Sequence, residues 1–505
     1  MKSWWGAEFR VYSCVLDSAF LVFGRASFMS DVNFLSALEM AQQIREKKIS
    51  PVELVEAHLK RIAELHLRLN AFVHVDEAGS RGEARSLEAA AISGQFRGPL
   101  HGVPVSVKSS LDVAGLRCES GSRLRAGKVA ATDAVLVSRL RRAGAIVLGV
   151  TNTPELLMAW ETDNLLYGRV NNPWDLARTS GGSSGGEAAA IASGCSAGGV
   201  GSDGGGSIRV PAHFTGICGL KPTPGRVPAT GHYPATAGPF ALLGAVGPMA
   251  RTVADLRVLF EVMAGPDDGD PSSAPVPLRK VSRDELKSIR IGYFEDDGRT
   301  PVTPETRAAV RTSAEALRRA GLELVPFRPQ GLEEARQLWW KLFGIAGGMI
   351  LGPMTKGHEA EISPLLAQFL RRVAMEPPHT GNTLLDTWLR RDETRTKILA
   401  QMEACPILLC PAAAIPAFRH GARSWVVEGQ TVKYLDAWSY TEWFNLLGNP
   451  AAVVPVAQSA EGLPIGVQVV GRPWQEELVL AMAEEIEREC GGYRKPGELP
   501  ASNPA

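Results

Sequence analysis

The chain has 505 residues, with 54 Lys and Arg against 54 Asp and Glu, so its net charge is zero. That length admits about two to four domains or one large α/β enzyme, and the charge balance leaves no electrostatic footprint for nucleic acid. The 45% apolar content excludes disorder as the main state, and no apolar run reaches the ~18 residues of a membrane span. The seven cysteines (Cys14, Cys118, Cys195, Cys218, Cys405, Cys410 and Cys490) are odd in number and form no CxxC. They predict neither a disulfide framework nor a zinc ribbon, and they suit a reducing cytoplasm. The nine histidines include no HExxH pair, so no metal is expected.

Residues 1–28 are aromatic-rich but interrupted by Asp17 and Arg25, a poor signal-peptide core. They read as an N-terminal extension ahead of one domain over 29–505. Ser36 with Glu39, and Ser50 with Glu53, form two capping boxes, each opening an amphipathic helix. Val103, Val105 and Val107 alternate as a strand that ends at Lys108. A helix near 133–143 leads into an apolar strand over 145–150, and this helix-then-strand grammar predicts α/β architecture with a largely parallel sheet. A small-residue helix is expected over 187–193 and a polar loop over 264–280. A second strand–helix–strand unit is expected over 289–326. Residues 330–400 read as mostly helical, so that 285–400 is expected to form a variable subdomain or lid. Strands near 407–410, 451–455 and 465–470 and a helix over 475–490 complete the chain.

Glycine is abundant at 52 residues and crowds the stretch 181–225. Three generic motifs fit there. Residues 199–204 satisfy GxGxxG, but the first acid beyond Asp203 is Asp255 and no helix opens cleanly, which argues against a dinucleotide site. Residues 182–186 satisfy GxSxG, and His213, His232, His358, His379 and His420 follow, so chain order leaves a nucleophile elbow at Ser184 open. A phosphate-cradling nest lacks the GxxxxGK[ST] pattern. Taken together, the block supports a different chemistry. Ser207 follows three glycines whose amides can approach a reacting carbonyl unobstructed, an oxyanion hole worth ~3–4 kcal/mol per good donor. A serine needs an adjacent base. With no histidine motif nearby the candidate is a lysine, which must be neutral to act, and a second serine between the two could relay the proton.

Residues 98–108 (GPLHGVPVSVK), 151–155 (TNTPE), 181–187 (GGSSGGE), 201–211 (GSDGGGSIRVP), 216–222 (GICGLKP), 246–255 (VGPMARTVAD) and 462–468 (GLPIGVQ) together resemble the amidase signature family of serine hydrolases. The resemblance is close over 30–265, moderate over 400–490 and one of layout over 285–400. It implies an α/β fold with a large mixed, twisted β-sheet flanked by helices on both faces and a mostly helical inserted subdomain. It implies a Ser–cisSer–Lys triad of Ser207 as nucleophile, Ser183 as bridging serine after a cis peptide bond, and Lys108 as base. The amides of Gly204, Gly205, Gly206 and Ser207 are implied as the oxyanion hole, with Ser184, Asp203 and Arg209 as supports. An Asp203–Arg209 pair would brace the loop bearing Ser207. Leu157 and Met158 are implied near the substrate. Ser109 stands where many members carry Asp, and Glu187 resembles the fatty-acid-amide-hydrolase-like branch.

The expected reaction is hydrolysis of a small-molecule amide through an acyl-enzyme, with no cofactor, no nucleic-acid partner and no integral membrane span, in a monomer or homodimer. Trp438, Trp443, Phe444 and the stretch 335–350 are expected to cap a hydrophobic amide, anilide, ester or carbamate. Two alternatives stand beside this: the glutaminase component of a tRNA-dependent amidotransferase, and a non-catalytic scaffold.

Overall fold

The structure is a computed structural model and describes residues 32–235 and 238–497. Cys14 and the extension over 1–28 lie outside the described residues. Both capping boxes form. The Ser36 hydroxyl accepts from the Glu39 amide while the Glu39 carboxylate accepts from the Ser36 amide, opening the helix Ala37–Arg45. Ser50 and Glu53 do the same for Pro51–Leu69. Each box satisfies helix-end donors that would otherwise be orphaned. Asp255 then receives the amides of Ala37 and Leu38 at 2.9 Å, tying the first helix to the far side of the domain.

Eleven strands form one sheet. They are β1 (Phe72–Val75), β2 (Pro104–Lys108), β3 (Ile146–Thr151), β4 (Gly198–Asp203), β5 (Cys218–Lys221), β6 (Ala245–Ala250), β7 (Arg290–Tyr293), β8 (Glu323–Pro326), β9 (Ile407–Pro411), β10 (Ala451–Gln458) and β11 (Pro464–Gly471). Their order across the sheet is β1-β3-β2-β4-β6-β5-β10-β11-β9-β7-β8. The parallel pairing expected from helix–strand alternation holds on the two flanks, β3-β2-β4 and β9-β7-β8. The centre is antiparallel. Only residues 459–463 separate β10 from β11, too few for the crossover a parallel pair requires.

Helices cover both faces. Along β10, Ala452 and Val454 enter the largest core cluster, whereas Ala451 and Val453 enter two different clusters. Side chains alternate faces along a strand, so each face meets its own apolar layer. This explains β2. The alternation of Val103, Val105 and Val107 suggests a half-solvated strand, yet Pro104–Lys108 is buried throughout, because the helix Gly185–Ala192 covers its second face.

The segment expected as a subdomain over 285–400 divides in two. β7 and β8 extend the main sheet, so the helical cap begins only at Leu332. It comprises Leu332–Trp339, a π-helical stretch Trp340–Ile345, and the helices Ala346–Thr355, Pro364–Ala374 and Gly381–Gln401. Residues 264–280 carry no helix or strand. The six described cysteines are all unpaired. Among the described residues, no helix is long and apolar enough to cross a membrane, and no His, Cys, Asp and Glu side chains cluster as metal ligands.

Two glycines give opposite expectations for one substitution. A Cβ on Gly199 of β4 would lie 2.0 Å from Glu187 Oε1 and 2.3 Å from the Ser106 carbonyl. Gly199→Ala should therefore cost about 3 kcal/mol through overpacking. Gly82 sits exposed inside the helix Glu77–Ile92 with nothing near its Cβ position. Gly82→Ala should stabilise by about 0.5–1 kcal/mol. Denaturant midpoints of the two variants check both signs.

Candidate active site

β2 delivers Lys108 into the interior with no solvent exposure. Its Nζ lies 2.7 Å from Ser183 Oγ, 3.0 Å from Ser184 Oγ, 3.0 Å from Ser202 Oγ and 3.4 Å from the Ser202 carbonyl. The peptide between Gly182 and Ser183 is cis. The Ser184 amide donates to the Ser207 carbonyl at 3.1 Å, so the loop of the paired serines and the loop of Ser207 are stitched together. Ser183 and Ser207 line one cleft with Gly204, and Leu157 and Met158 form part of the same wall, as the resemblance implies. Phe240, Phe343, Leu156 and Ala245 complete its apolar lining. Its free space is about 60 Å³.

Charge around the lysine is arranged in compensated sets. Burial lowers Lys108 from the ordinary lysine range to about 7, against the opposing pull of Asp203 and Glu187. Glu187 is itself buried, and burial raises its carboxyl to about 7 although the hydroxyls of Ser106 (2.5 Å) and Thr151 (2.7 Å) donate to it. Burial would raise Asp203 as well, but Arg209 holds this carboxyl well below the usual carboxylate range. Arg209 grips it through two bonds, Nε to Oδ2 at 3.0 Å and Nη2 to Oδ1 at 2.9 Å, with neither side chain exposed. Arg209 also donates to Gln468 and Asn445, and Asn445 returns a bond to the Asp203 carbonyl. A buried ion pair needs its remaining donors and acceptors filled to be tolerated, and these two amides fill them.

The Asp203 carboxylate shapes the loop that follows. It accepts from the amides of Gly206 at 2.7 Å and Ile208 at 3.1 Å. The expected oxyanion hole is corrected at one position: the Gly206 amide is already committed to Asp203. The amides of Gly204, Gly205 and Ser207 have no acceptor among the described residues. Gly206 has φ of 116°, and a Cβ there would meet Thr441 Oγ1 at 2.4 Å, so only glycine fits. The carbonyls of the same loop are pinned from the cap side. Trp339 Nε1 donates to the Gly204 carbonyl at 2.8 Å, and Trp160 Nε1 (2.8 Å) and Thr441 Oγ1 (2.9 Å) donate to the Gly205 carbonyl.

The generic readings fail on geometry. The GxGxxG residues up to Asp203 lie within β4, and the next helix opens only at Arg209, so the motif does not form a strand-to-helix turn. Ser184 is fully buried and bonded to Lys108, with no histidine partner among the described residues, so it is not an exposed elbow nucleophile. His232 does line the cleft. Burial lowers it to about 4, and its ring nitrogens face the Pro234 carbonyl at 2.8 Å and the Ser110 hydroxyl at 3.2 Å, so it is neutral and occupied. The expected aromatic cap is also corrected. Trp438, Trp443 and Phe444 are buried in the core and do not line the cleft, and only Phe343 from the stretch 335–350 does.

Sequence reasoning missed Ser202, Glu187 as a buried partner of β2 and β3, and the Asn445–Gln468 brace. Gln468 carried a signal, since it closes the GLPIGVQ segment. Ser202 carried the same signal inside GSDGGGSIRVP, and Asn445 carried none.

Comparison with known proteins bears on the same geometry. Residues 53–480 match the Amidase family. The chain is 33% identical over 468 residues to an acylamidase of Rhodococcus erythropolis, covering 90% of this chain and 96% of that one. It is 34% identical to a glutamyl-tRNA(Gln) amidotransferase component of Synechococcus sp. (strain CC9605), covering 88% and 94%. The crystal structure of a bacterial aryl acylamidase of the amidase signature family superposes with a TM-score of 0.79 at 28% identity, covering 90% of this chain and 96% of that one. A buried lysine bonded to the paired serines and to Ser202 of β4, in a chain matched over most of its length by these proteins, leads to one conclusion: the chain belongs to the amidase signature family and is an amide-hydrolysing enzyme.

Proposed function

We propose that Ser207 is the acylated nucleophile, Ser183 the proton relay and Lys108 the base, and that the substrate is an uncharged amide with a compact apolar group beside its reacting carbon. An anilide, ester or carbamate of that shape fits the same chemistry. The observation that carries this reading is Lys108 itself, dry and 2.7 Å from Ser183 Oγ. Desolvation disfavours the ammonium form, so the nitrogen can take a proton near neutral pH.

In the first step neutral Lys108 draws a proton through Ser183 as the Ser207 oxygen attacks the carbonyl carbon. The oxyanion is held by the free amides of the glycine loop. The proton then returns through Ser183 to the leaving amine, which departs. Water attacks the acyl-enzyme by the same relay and releases the carboxylate.

The preference for an uncharged substrate rests on the cleft wall. Its ionisable members are Asp203, closed into Arg209, and His232, neutral and bonded on both nitrogens. Neither is free to receive the ammonium and carboxylate of glutamine. This favours an acylamidase-like reading over the glutaminase one suggested by the amidotransferase relatives.

Three outcomes are expected. A fluorophosphonate should label Ser207, as read by peptide mass, and Ser207→Ala should abolish labelling and lower kcat/KM on the order of 10⁴-fold or more. Lys108→Ala should lower it by roughly 10²–10⁴-fold; unchanged turnover there would end the scheme. Second, only the deprotonated lysine acts as base, so kcat/KM should rise with pH through about 7 and level off above it. Third, a short neutral anilide should be turned over far better than free glutamine, and the reverse order would favour the glutaminase.

A further inference from the structure

Behind the cleft lies a second cavity with about 690 Å³ of free space, against about 60 Å³ at Ser207. The partition between them is a stacked pair. Phe343 faces the cleft, Trp339 faces the second cavity, and their rings are 5.0 Å apart at 13°. The π-helical stretch Trp340–Ile345 makes this division, since it sends Phe343 to one side and Trp340, Lys341 and Ile345 to the other. Such stretches are rare in helices and concentrate at functional sites.

The wall of this cavity is chemically unlike the cleft. Arg336, Arg372 and Arg423 reach it already paired with Glu333, Glu376 and Glu161. Lys341 and Lys433 reach it with no carboxylate partner among the described residues. At the cavity wall Glu442 is only 2% exposed and its carboxyl makes no hydrogen bond within the described residues. Burial, opposed by Arg336, holds this carboxyl well above its ordinary range. Trp339, Trp340 and Tyr434 supply flat apolar surface between these groups.

We propose that this cavity is a second ligand site, and that its ligand is an organic carboxylate with an aliphatic or aromatic body. Lys341 and Lys433 meet the charge, and the indole and phenol faces cover the body. Amide hydrolysis yields carboxylates, so the free ligand belongs to the chemical class of the enzyme's own product. The same group could also be the far end of a long substrate. In either case occupancy is felt at the glycine loop, because Trp339 is both a wall of the cavity and the donor to the Gly204 carbonyl.

Isothermal titration of full-length Ser207→Ala protein with octanoate and benzoate, against octanol and benzyl alcohol, tests the site. Saturable binding of the carboxylates alone is expected, weakened about tenfold or more when Lys341→Met and Lys433→Met are added. Wild-type protein labelled with fluorophosphonate should still bind octanoate. Absence of saturable binding, indifference to the lysine substitutions, or loss on labelling would each overturn the proposal, and none depends on turnover. Monoamides of straight-chain dicarboxylic acids separate the two sources. A KM that falls with chain length, and only while both lysines are present, identifies a substrate tail. A KM independent of length, with octanoate changing the turnover of a short neutral amide, identifies a separate ligand.

Discussion

A lysine amine buried with no carboxylate bonded to it is the constraint on which this structure turns. Water would protonate Lys108, so the nitrogen is enclosed at the end of a fully buried strand and surrounded by three serine hydroxyls, which satisfy it without bringing charge. Carboxylates nearby would undo the effect by stabilising the ammonium form. Both of those that approach are turned elsewhere: Asp203 into the guanidinium of Arg209, and Glu187 into the hydroxyls of Ser106 and Thr151. The small residues of β4 and of the helix Gly185–Ala192 follow from the same need, because only they let strand, helix and serine loops approach closely enough to exclude solvent.

The glycine loop before Ser207 is held from two sides by different chemistry. Beneath it lies an ionic and amide network of Asp203, Arg209, Asn445 and Gln468, joining residues up to 259 positions apart. Above it, indole and hydroxyl donors from Trp339, Trp160 and Thr441 take the carbonyls. The carbonyls of Gly204 and Gly205 and the amide of Gly206 are thus spoken for, which leaves the amides of Gly204, Gly205 and Ser207 without an acceptor among the described residues.

Much of this is legible in the sequence where the determining interaction is local or the motif long. The capping boxes at Ser36 and Ser50 act over three residues and form as expected. Lys108, Ser183 and Ser207 stand in long, specific segments, and Leu157 and Met158 reach the cleft wall. What is not legible depends on partners distant in the chain. Trp438, Trp443 and Phe444 look like lid aromatics by composition, but the helix Ser439–Leu446 packs beneath the cap against Leu332–Trp339, which buries them. The Gly206 amide looks free in the sequence, yet the Asp203 carboxylate folds back onto it. The antiparallel centre of the sheet follows from a short connection between two strands, and no periodicity reports pairing direction.

The indole bond to the Gly204 carbonyl has a further effect on the glycine loop. A carbonyl that accepts a hydrogen bond polarises its own peptide unit and strengthens the N–H on the other side of it, here the amide of Gly205. That donor is therefore at full strength only while the helix Leu332–Trp339 is seated on the sheet domain. Any outward swing of this helix for substrate entry or product exit would release the carbonyl and weaken the amide together. The seating of this helix and the donor strength of the Gly205 amide are thus one mechanical variable.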